Sequence, residues 1–410
     1  MKKQLHSSFE KDYEVEARQQ IRKSNLGLNQ AMGPVFLLTC IFFVLFLARQ
    51  MAGPFLPAIE EELGISHAYS GLFILFMGIG FSLSQLGAAY MAGAWGYRPC
   101  ILYSLWGSAF AMVLVGLLMS PWTLCFGFFV LGIVGGVYVP TGIAFITVLI
   151  RPSDWGKAMG IHEIAPNLGL IAAPFLATAA IYLCSWRLGY FSIAAASALL
   201  GVVYAGKGMD VEDKPSPPDL KRIRQTVSNR SFWVVGVLLS LAVGVETGVY
   251  AILPLFLVNE RGFDLAAANQ LLGCSRLPGL LMVLVSGWIT DRLTPRITIL
   301  LALCLSGVTI IFLGLGPRNM LIPAIFLQAA ASACLFPPIL SAASGISTPE
   351  NRALTISLSL AVAPVAGGGL LPAGIALAGD LGSFSSGLAA AGIFALSGMV
   401  LIPFLKKKDS

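Results

Sequence analysis

Long runs of apolar residues recur along the chain, and several contain no charged residue at all. The segments 35–48, 100–150 and 188–205 are uninterrupted in this way. An α-helix rises about 1.5 Å per residue, so roughly 20 apolar residues cross the hydrocarbon core of a membrane. The runs lack the alternation of a membrane-spanning strand, and they therefore predict transmembrane helices. We predict twelve of them, over residues 31–56, 69–91, 99–119, 122–149, 158–182, 187–206, 231–257, 266–290, 297–315, 320–346, 353–378 and 386–405.

Composition and charge agree with a membrane protein. Charged residues make up only 11% of the chain and hydrophobic residues 57%, whereas soluble proteins are roughly 25% charged. An even number of spans puts both termini on one side, where 21 of the 26 basic residues fall; the exceptions are Arg49, Arg187, Arg261, Arg276 and Arg318. Basic residues collect in cytoplasmic loops, so we predict cytoplasmic termini. The net charge of +6 therefore reflects orientation and does not indicate a nucleic-acid partner.

One polar segment divides the helices into two groups of six. Residues 207–230 are rich in charge and proline, which is typical of a solvated linker. We therefore predict an all-α membrane protein with two six-helix pseudo-repeats. Its predicted parts are a cytoplasmic N-terminal segment (1–30), a first bundle (31–206), the cytoplasmic linker (207–230), a second bundle (231–405) and a cytoplasmic tail (406–410).

The two groups of helices repeat the same landmarks at a nearly constant distance. The pairs 197 residues apart are Pro57 and Pro254, Pro140 and Pro337, and Pro152 and Pro349; the pairs 198 residues apart are Arg98 and Arg296, and Pro174 and Pro372. We interpret Pro57 and Pro254 as the ends of the first and seventh helices. Internal repetition of this kind is typical of transporter folds with two similar halves.

Short motifs beside these landmarks resemble those of the major facilitator superfamily. After the eighth helix, the family's Gly-x-x-x-Asp-Arg loop is matched by Gly287, Asp291, Arg292 and Arg296, and the copy after the second helix keeps Arg98. The fifth helix resembles the family's glycine–proline pattern through Gly160, Gly169, Ala173 and Pro174. The resemblance implies a monomeric secondary transporter of a bacterial inner membrane that works by alternating access. It also implies a cytoplasmic gate, to which we assign Arg98, Asp291, Arg292, Arg296 and His162.

Three charged residues fall near the middle of predicted helices. Arg49, Glu246 and Arg276 each lie about 15 residues inside the predicted cytoplasmic edge, roughly 22–24 Å deep. A charge at this depth costs about 2.5–3.5 kcal/mol, so it needs a partner or a water-filled cavity. Arg49 and Glu246 are eight residues before Pro57 and Pro254, which makes them counterparts in the repeat. In the superfamily, the first and seventh helices line the central cavity.

Two arginines favour an anionic substrate, because a guanidinium holds a carboxylate through two parallel hydrogen bonds. Arg276 resembles the eighth-helix arginine of monocarboxylate and oxalate transporters. Arg49 resembles that of organophosphate antiporters, but Glu246 stands where those proteins carry a second arginine, which argues against a phosphate. Glu246 is our first candidate for proton coupling. The alternative is a fixed salt bridge between Glu246 and either arginine.

Other polar residues complete the predicted site. His162 and Glu163 lie roughly 8–9 Å inside the cytoplasmic edge, on adjacent positions of the fifth helix. Glu163 is a second candidate for proton coupling, although neighbouring helical residues point about 100° apart. The neutral residues predicted to line the substrate site are Gln85, Tyr138, Asn167, Tyr250 and Gln328.

The sequence therefore favours proton-coupled transport of a small organic anion, with a carboxylate as the expected substrate. One alternative keeps the fold but reverses the chemistry, with proton-driven efflux of apolar or cationic compounds bound by Glu246 and Glu163. Another is a membrane sensor or scaffold that transports nothing. The sequence contains no phosphate-binding loop and no metal-ligand spacing among its seven cysteines, so we predict no enzyme, cofactor or metal.

Overall fold

The structure, a computed structural model, describes residues 26–211, 219–345 and 352–405. Within these ranges the chain forms twelve helices long and apolar enough to cross a membrane, which confirms the predicted fold class. The helices are α1 (Leu28–Leu63), α2 (His67–Trp95), α3 (Tyr97–Leu117), α4 (Pro121–Leu149), α5 (Pro152–Leu183), α6 (Trp186–Lys207), α7 (Arg230–Glu260), α8 (Leu265–Arg292), α9 (Pro295–Leu315), α10 (Arg318–Ala343), α11 (Thr355–Asp380) and α12 (Phe384–Phe404).

The polar segment between the halves is only partly described. A short helix, Leu220–Val227, precedes α7, and the Asp219 carboxylate caps it by accepting a hydrogen bond from the amide of Lys221 at 2.9 Å. Residues 1–25, 212–218 and 406–410 lie outside the described residues. The predicted N-terminal segment and tail, and part of the predicted linker, fall on them.

The two prolines that we interpreted as helix ends lie inside helices, so that interpretation is wrong. Pro57 is buried within Ala52–Leu63, and Pro254 lies within Val249–Leu255, after which α7 continues to Glu260. A proline removes one backbone donor, but neighbouring helices and local π turns satisfy the freed carbonyls in a membrane protein. Both helices therefore reach one to two turns further than the sequence suggested.

Several helices are broken shortly before a proline. The breaks fall at Met51 in α1, Val137 in α4, Glu163 in α5 and Arg276 in α8, followed by Pro54, Pro140, Pro166 and Pro278. A proline has no N–H to bond the carbonyl four residues earlier, and its ring crowds that carbonyl, so the helix bends there. Each break therefore leaves a backbone carbonyl in the middle of the helix without its usual helical donor.

Helices α7 and α11 contain π turns instead. These are Gly244–Gly248 and Phe256–Glu260 in α7, and Ala366–Leu370 in α11. The first and the last pack against each other closely: a Cβ on Gly367 would lie 1.9 Å from the carbonyl oxygen of Ser240. Only glycine fits at this position, because that distance is far inside van der Waals contact.

The two six-helix halves meet mainly at one end of the bundle. We call the end where α1 begins and α12 ends the terminal end, and the opposite end the far end. At the far end the Asp380 carboxylate of α11 accepts hydrogen bonds from the amides of His67 and Ala68 at 2.8 and 2.9 Å, and so caps α2 from the other half. The Asn269 side chain of α8 donates to the carbonyl oxygen of Pro54 at 3.4 Å.

The terminal-end segments pack against their own halves. This holds for Tyr138–Leu149 and Trp155–His162 in the first half, and for Leu277–Arg292 and Phe336–Gly345 in the second. The structure therefore represents a conformation that is closed at the far end. Such one-sided closure is the arrangement that alternating access requires.

The contact of Asp380 with α2 should hold the far end closed, and we expect Asp380→Ala to weaken it. Loss of a helix cap costs about 0.5–2 kcal/mol. In a cysteine-free background carrying Ile74→Cys, a membrane-impermeant thiol reagent added at the far end should then react about 2- to 30-fold faster. Asp264→Ala is the matched control, because Asp264 caps its own helix through the amides of Ala266 and Ala267. Equal rates in the two variants would contradict the prediction.

Candidate functional site

A small cavity lies between the halves, at the level where α1 breaks and α7 forms its first π turn. It has a volume of about 40 Å³, which leaves room for a group of a few heavy atoms. Its walls come from α1, α2, α7 and α11, so both halves contribute. The lining residues are Arg49, Gln50, Gly53, Ile74, Met77, Gly78, Phe81, Val243, Thr247, Tyr250, Ala251, Pro364 and Gly368. We refer to it as the central cavity.

Two hydrogen-bond donors in the central cavity have no acceptor among the residues that the structure describes. The guanidinium of Arg49 lies 4.4 Å from the ring centre of Phe81 and 5.1 Å from that of Phe46, in cation–π geometry. Among the described residues it has no hydrogen-bond or ion-pair partner. The neighbouring Gln50 is only 7% exposed, and its amide nitrogen is likewise unpaired. Aromatic faces thus hold the charge in place while its N–H groups stay available.

Arg276 approaches the same cavity from α8. It is 5% exposed, donates from Nη2 to the carbonyl oxygen of Glu246 at 3.0 Å, and lies 4.6 Å from the ring centre of Tyr250. Its Nε is buried without a partner. Tyr250 itself lines the central cavity. The Tyr250 hydroxyl donates to the carbonyl oxygen of Leu170 at 2.8 Å and so joins the halves.

The π turn around Glu246 is held by side chains from two other helices. Gln328 of α10 donates to the carbonyl oxygen of Val245 at 2.7 Å, and Arg276 bonds the next carbonyl, that of Glu246. Buried carbonyls need such donors, so these bonds fix the turn. The Glu246 carboxylate has no partner among the described side chains, and neither Arg49 nor Arg276 comes within 4.0 Å of it. The fixed salt bridge that we considered is therefore absent in this conformation.

A second polar group lies inside the first half, at the break in α5. The Tyr138 hydroxyl donates to the carbonyl oxygen of Leu38 at 2.6 Å and lies 3.1 Å from Nε2 of His162. Nδ1 of His162 lies 3.4 Å from a carboxylate oxygen of Glu163. Asn167 donates to the backbone carbonyl of Glu163 at 3.0 Å. His162 and Glu163 therefore contact each other although they are adjacent in sequence, because the helix is interrupted at Glu163.

The predicted gate residues lie at the terminal end. Arg98, at the start of α3, donates to the carbonyl oxygen of Ala205 at 2.5 Å and lies 3.9 Å from Asp210. It therefore links the start of α3 to the end of α6. Asp291 is exposed and unpaired within the described part of the chain, and Arg292 lies over the ring of Trp288 at 4.4 Å. Arg296 is half-buried, with an unpaired Nε.

The basic residues at the start of α5, Arg151 and Lys157, form no ion pair with Asp291 within the described part of the chain. Arg151 lies 2.7 Å and Lys157 lies 3.9 Å from Asp154 instead. This matches a bundle whose halves contact each other at the far end.

Of the residues predicted to line the substrate site, only Arg49 and Tyr250 do so. Arg276 and Gln328 support the wall from behind, Gln85 is half-buried with an unpaired side-chain oxygen, and Tyr138 belongs to the group in the first half. Sequence reasoning missed Gln50 and Thr247. The available signal was that each is an uncharged polar residue directly beside one of the mid-helix charges.

A larger cavity, of about 370 Å³, lies wholly within the first half. It is lined by terminal-end residues of α1, α4 and α6, among them Pro34, Phe145 and Tyr204, with Lys207 at its edge. Because the second half contributes nothing to its wall, closure of the halves cannot transfer a solute through it. The central cavity, which both halves line, is therefore the better candidate for a substrate site.

Comparison with known proteins identifies the class to which this fold and cavity belong. The sequence model described as "Major Facilitator Superfamily" matches residues 38–317 and 250–410. The chain belongs to this superfamily and is a membrane transporter, not an enzyme.

Its relatives differ in the substrates that their names state. It is 27% identical, over 83% of its length and 82% of the relative's, to a probable sulfoacetate transporter of Cupriavidus necator. It is 24% identical to a gallate transporter of Pseudomonas putida, over 68% and 70% of the two chains. It is 23% identical to the multidrug resistance protein MdtG of Salmonella typhimurium, over 75% and 76%.

Solved structures share the fold at low sequence identity. An inward-facing, occupied bacterial homologue of the lysosomal transporter Spinster has a TM-score of 0.73 and 17% identity, with 93% of this chain and 95% of that chain covered. A POT family transporter in complex with 5-aminolevulinic acid has a TM-score of 0.76 and 15% identity, over 92% and 97%. These likenesses support the fold and the two-half arrangement.

Proposed function

We propose that this protein carries a small organic anion across a bacterial inner membrane, with protons as the coupling ion. The anion binds in the central cavity at Arg49 of the first half, and Arg276 of the second half adds a positive charge from behind Tyr250. Both termini face the cytoplasm, so the far end is periplasmic and the described conformation faces inward. Glu246 and Glu163 are the candidate proton carriers.

The observation that carries this proposal is the unpaired guanidinium of Arg49 in the central cavity. A cation at mid-membrane depth is costly, and cation–π contacts with Phe46 and Phe81 offset only part of that cost. A carboxylate or sulfonate would complete it with two parallel, charge-assisted hydrogen bonds. Gln50 adds a neutral donor beside it, and Arg276 a second cation behind Tyr250.

The relatives and the size of the cavity support a small anion over a drug. Sulfoacetate carries a sulfonate and a carboxylate, and gallate carries a carboxylate, so the relatives named for them must accommodate anions. Sites for drug-sized molecules typically measure roughly 300–1,000 Å³. The central cavity is about 40 Å³ in this conformation, which fits one charged end of a small ligand.

Sulfoacetate should raise the melting temperature of the purified wild-type protein, and Arg49→Ala should abolish the shift. A ligand that binds only the folded state stabilises it by about 2.7 kcal/mol at 100 times its Kd. The panel should include gallate, acetate, inorganic phosphate and tetraphenylphosphonium, read by thermal unfolding in detergent. Arg187→Ala is a suitable control, because Arg187 lies over Trp186 at 4.3 Å but pairs with Glu62 outside the cavity.

Other outcomes of the panel separate the rival functions. Stabilisation by tetraphenylphosphonium alone, retained in Arg49→Ala and lost in Glu246→Gln, would replace our proposal with efflux of cations. Binding of an anion without its uptake into proteoliposomes would favour a sensor.

A further inference from the structure

We propose that His162 and Glu163 together hold one exchangeable proton, and that this proton drives transport. The inference deepens the proposed function, because it names the residues that carry the coupling ion. It starts from the break in α5. Pro166 cannot donate to the carbonyl of His162, so the helix is interrupted at Glu163. The interruption turns the His162 ring inward and leaves the Glu163 side chain 52% exposed.

The His162 ring is fixed by three contacts. It is 0% exposed and stacks on Phe42 of α1, with ring centres 4.6 Å apart and ring planes 14° from parallel. Its Nε2 lies 3.1 Å from the Tyr138 hydroxyl of α4, and its Nδ1 lies 3.4 Å from the Glu163 carboxylate. A ring held in this way cannot turn to exchange its two nitrogens.

Hydrogen-bond accounting then assigns the proton on Nε2. The Tyr138 hydroxyl has a single proton, and it lies 2.6 Å from the carbonyl oxygen of Leu38, which can only accept. Tyr138 therefore donates to Leu38, and its oxygen accepts from His162. Nε2 must carry a proton in order to donate.

The same accounting leaves room for one further proton. If the ring is neutral with its proton on Nε2, the lone pair of Nδ1 faces the Glu163 carboxylate, and the two repel each other. A proton between them makes the contact attractive, as an imidazolium–carboxylate pair or as an imidazole and a carboxylic acid.

No other charged side chain competes for this proton within the described residues packed around the ring. The remaining titratable groups near Tyr138 are the Cys40 thiol of α1 and the Tyr204 phenol of α6, which are neutral near neutral pH. Lys157, on the preceding turns of α5, lies 3.9 Å from Asp154. The half-exposed Glu163 gives the pair contact with water, which the buried ring itself lacks.

α5 also connects this pair to the central cavity. Leu170 lies seven residues, about two turns, after Glu163, and its carbonyl accepts the hydrogen bond from Tyr250. Tyr250 lines the central cavity and lies against Arg276. A change in the bend of α5 on protonation would therefore act directly on Tyr250, which lines the central cavity and contacts Arg276. This gives proton binding a structural route to substrate binding.

The test uses the scarcity of histidine in this chain. There are three, His6, His67 and His162, so His6→Gln with His67→Gln leaves His162 alone. Nitrogen-15 NMR of this variant, purified with a histidine-free tag, should show Nε2 protonated at all pH values. The shared proton should then be detected in one of two places. Either the NMR spectrum shows a proton on Nδ1, or infrared spectroscopy shows a protonated carboxyl group that disappears in Glu163→Gln. A bare Nε2, or absence of both signals, would overturn the proposal.

Transport gives the second readout. In proteoliposomes, His162→Gln and Glu163→Gln should keep the exchange of internal for external sulfoacetate but lose accumulation driven by a pH gradient, by tenfold or more. Tyr138→Phe should fall between these variants and the wild type. Unchanged accumulation, or loss of exchange together with accumulation, would show that the pair does not carry the coupling proton. If the wild type transports no anion of the panel, the proposed substrate fails, while the spectroscopy still decides whether the pair holds a proton.

Discussion

Arg276→Ala should abolish the stabilisation of this protein by sulfoacetate and stop its transport. Removing one partner of a buried, hydrogen-bonded charge pair costs about 2–5 kcal/mol, which corresponds to at least roughly a 30-fold loss of affinity. Arg276 is 5% exposed and its Nε has no partner among the described residues, so an anion that reaches it would use a donor that is already desolvated. The measurement is the ligand concentration needed for half-maximal thermal stabilisation.

Two further variants separate binding from folding. Arg276→Lys keeps a cation that can donate to the carbonyl of Glu246, but it loses the planar fork, so it should fold normally and bind weakly. Arg261→Ala is the matched control: Arg261 also combines an aromatic face, Phe256 at 5.0 Å, with a bond to a carbonyl, that of Gly314 at 2.6 Å. Full binding by Arg276→Lys, or equal loss in Arg261→Ala, would contradict a direct role.

Gly71→Leu should shift the protein away from the conformation closed at the far end. A Cβ on Gly71 would lie 2.8 Å from the Cα of Ala373 and 2.9 Å from the Cβ of Ala376, both in the other half. Overpacking costs about 1–3 kcal/mol, so the equilibrium should move by roughly 5- to 150-fold toward far-end opening. The distance between spin labels at positions 61 and 381, measured by pulsed electron paramagnetic resonance, should increase.

Gly132→Leu is the control for general destabilisation. Its Cβ would lie 2.1 Å from the carbonyl oxygen of Met77, but both residues belong to the first half. We expect loss of thermal stability with no change in the proportion of far-end opening. An unchanged distance distribution in Gly71→Leu, or the same change in both variants, would show that the Gly71 contact does not control the closure.

The fold followed from the sequence because apolar length is a strong constraint in lipid. Ten of the twelve predicted spans begin and end within about four residues of the observed helices, whereas α1 continues further, to Leu63, and α5 begins earlier, at Pro152. The error in α1 came from treating Pro57 as a terminator. That rule holds for helices in water, whereas a buried helix between other helices has no alternative partner for its backbone groups.

The site was harder to predict because it depends on irregular backbone. Arg49 could be assigned from depth alone, but depth did not show that Arg276 bonds the Glu246 carbonyl instead of its carboxylate. A π turn changes the register of every later residue, and hydropathy does not reveal where it occurs. The contact of His162 with Glu163 likewise depends on the break in α5 before Pro166. A regular helix of the same sequence would not form this contact.

The π turn in α11 also accounts for a detail of the internal repeat. Corresponding prolines are 197 residues apart at Pro152 and Pro349 but 198 apart at Pro174 and Pro372, so the second copy has gained one residue in between. Within the described part of that interval, the turn Ala366–Leu370 is where the helix accommodates extra length, and α5 continues as an ordinary helix at the equivalent level. One inserted residue would rotate the rest of a regular α-helix by about 100°, and a π turn absorbs that residue locally. The residues of α11 beyond the turn, among them Ala373 and Asp380, therefore keep their contacts with the first half at the far end despite a single insertion after duplication.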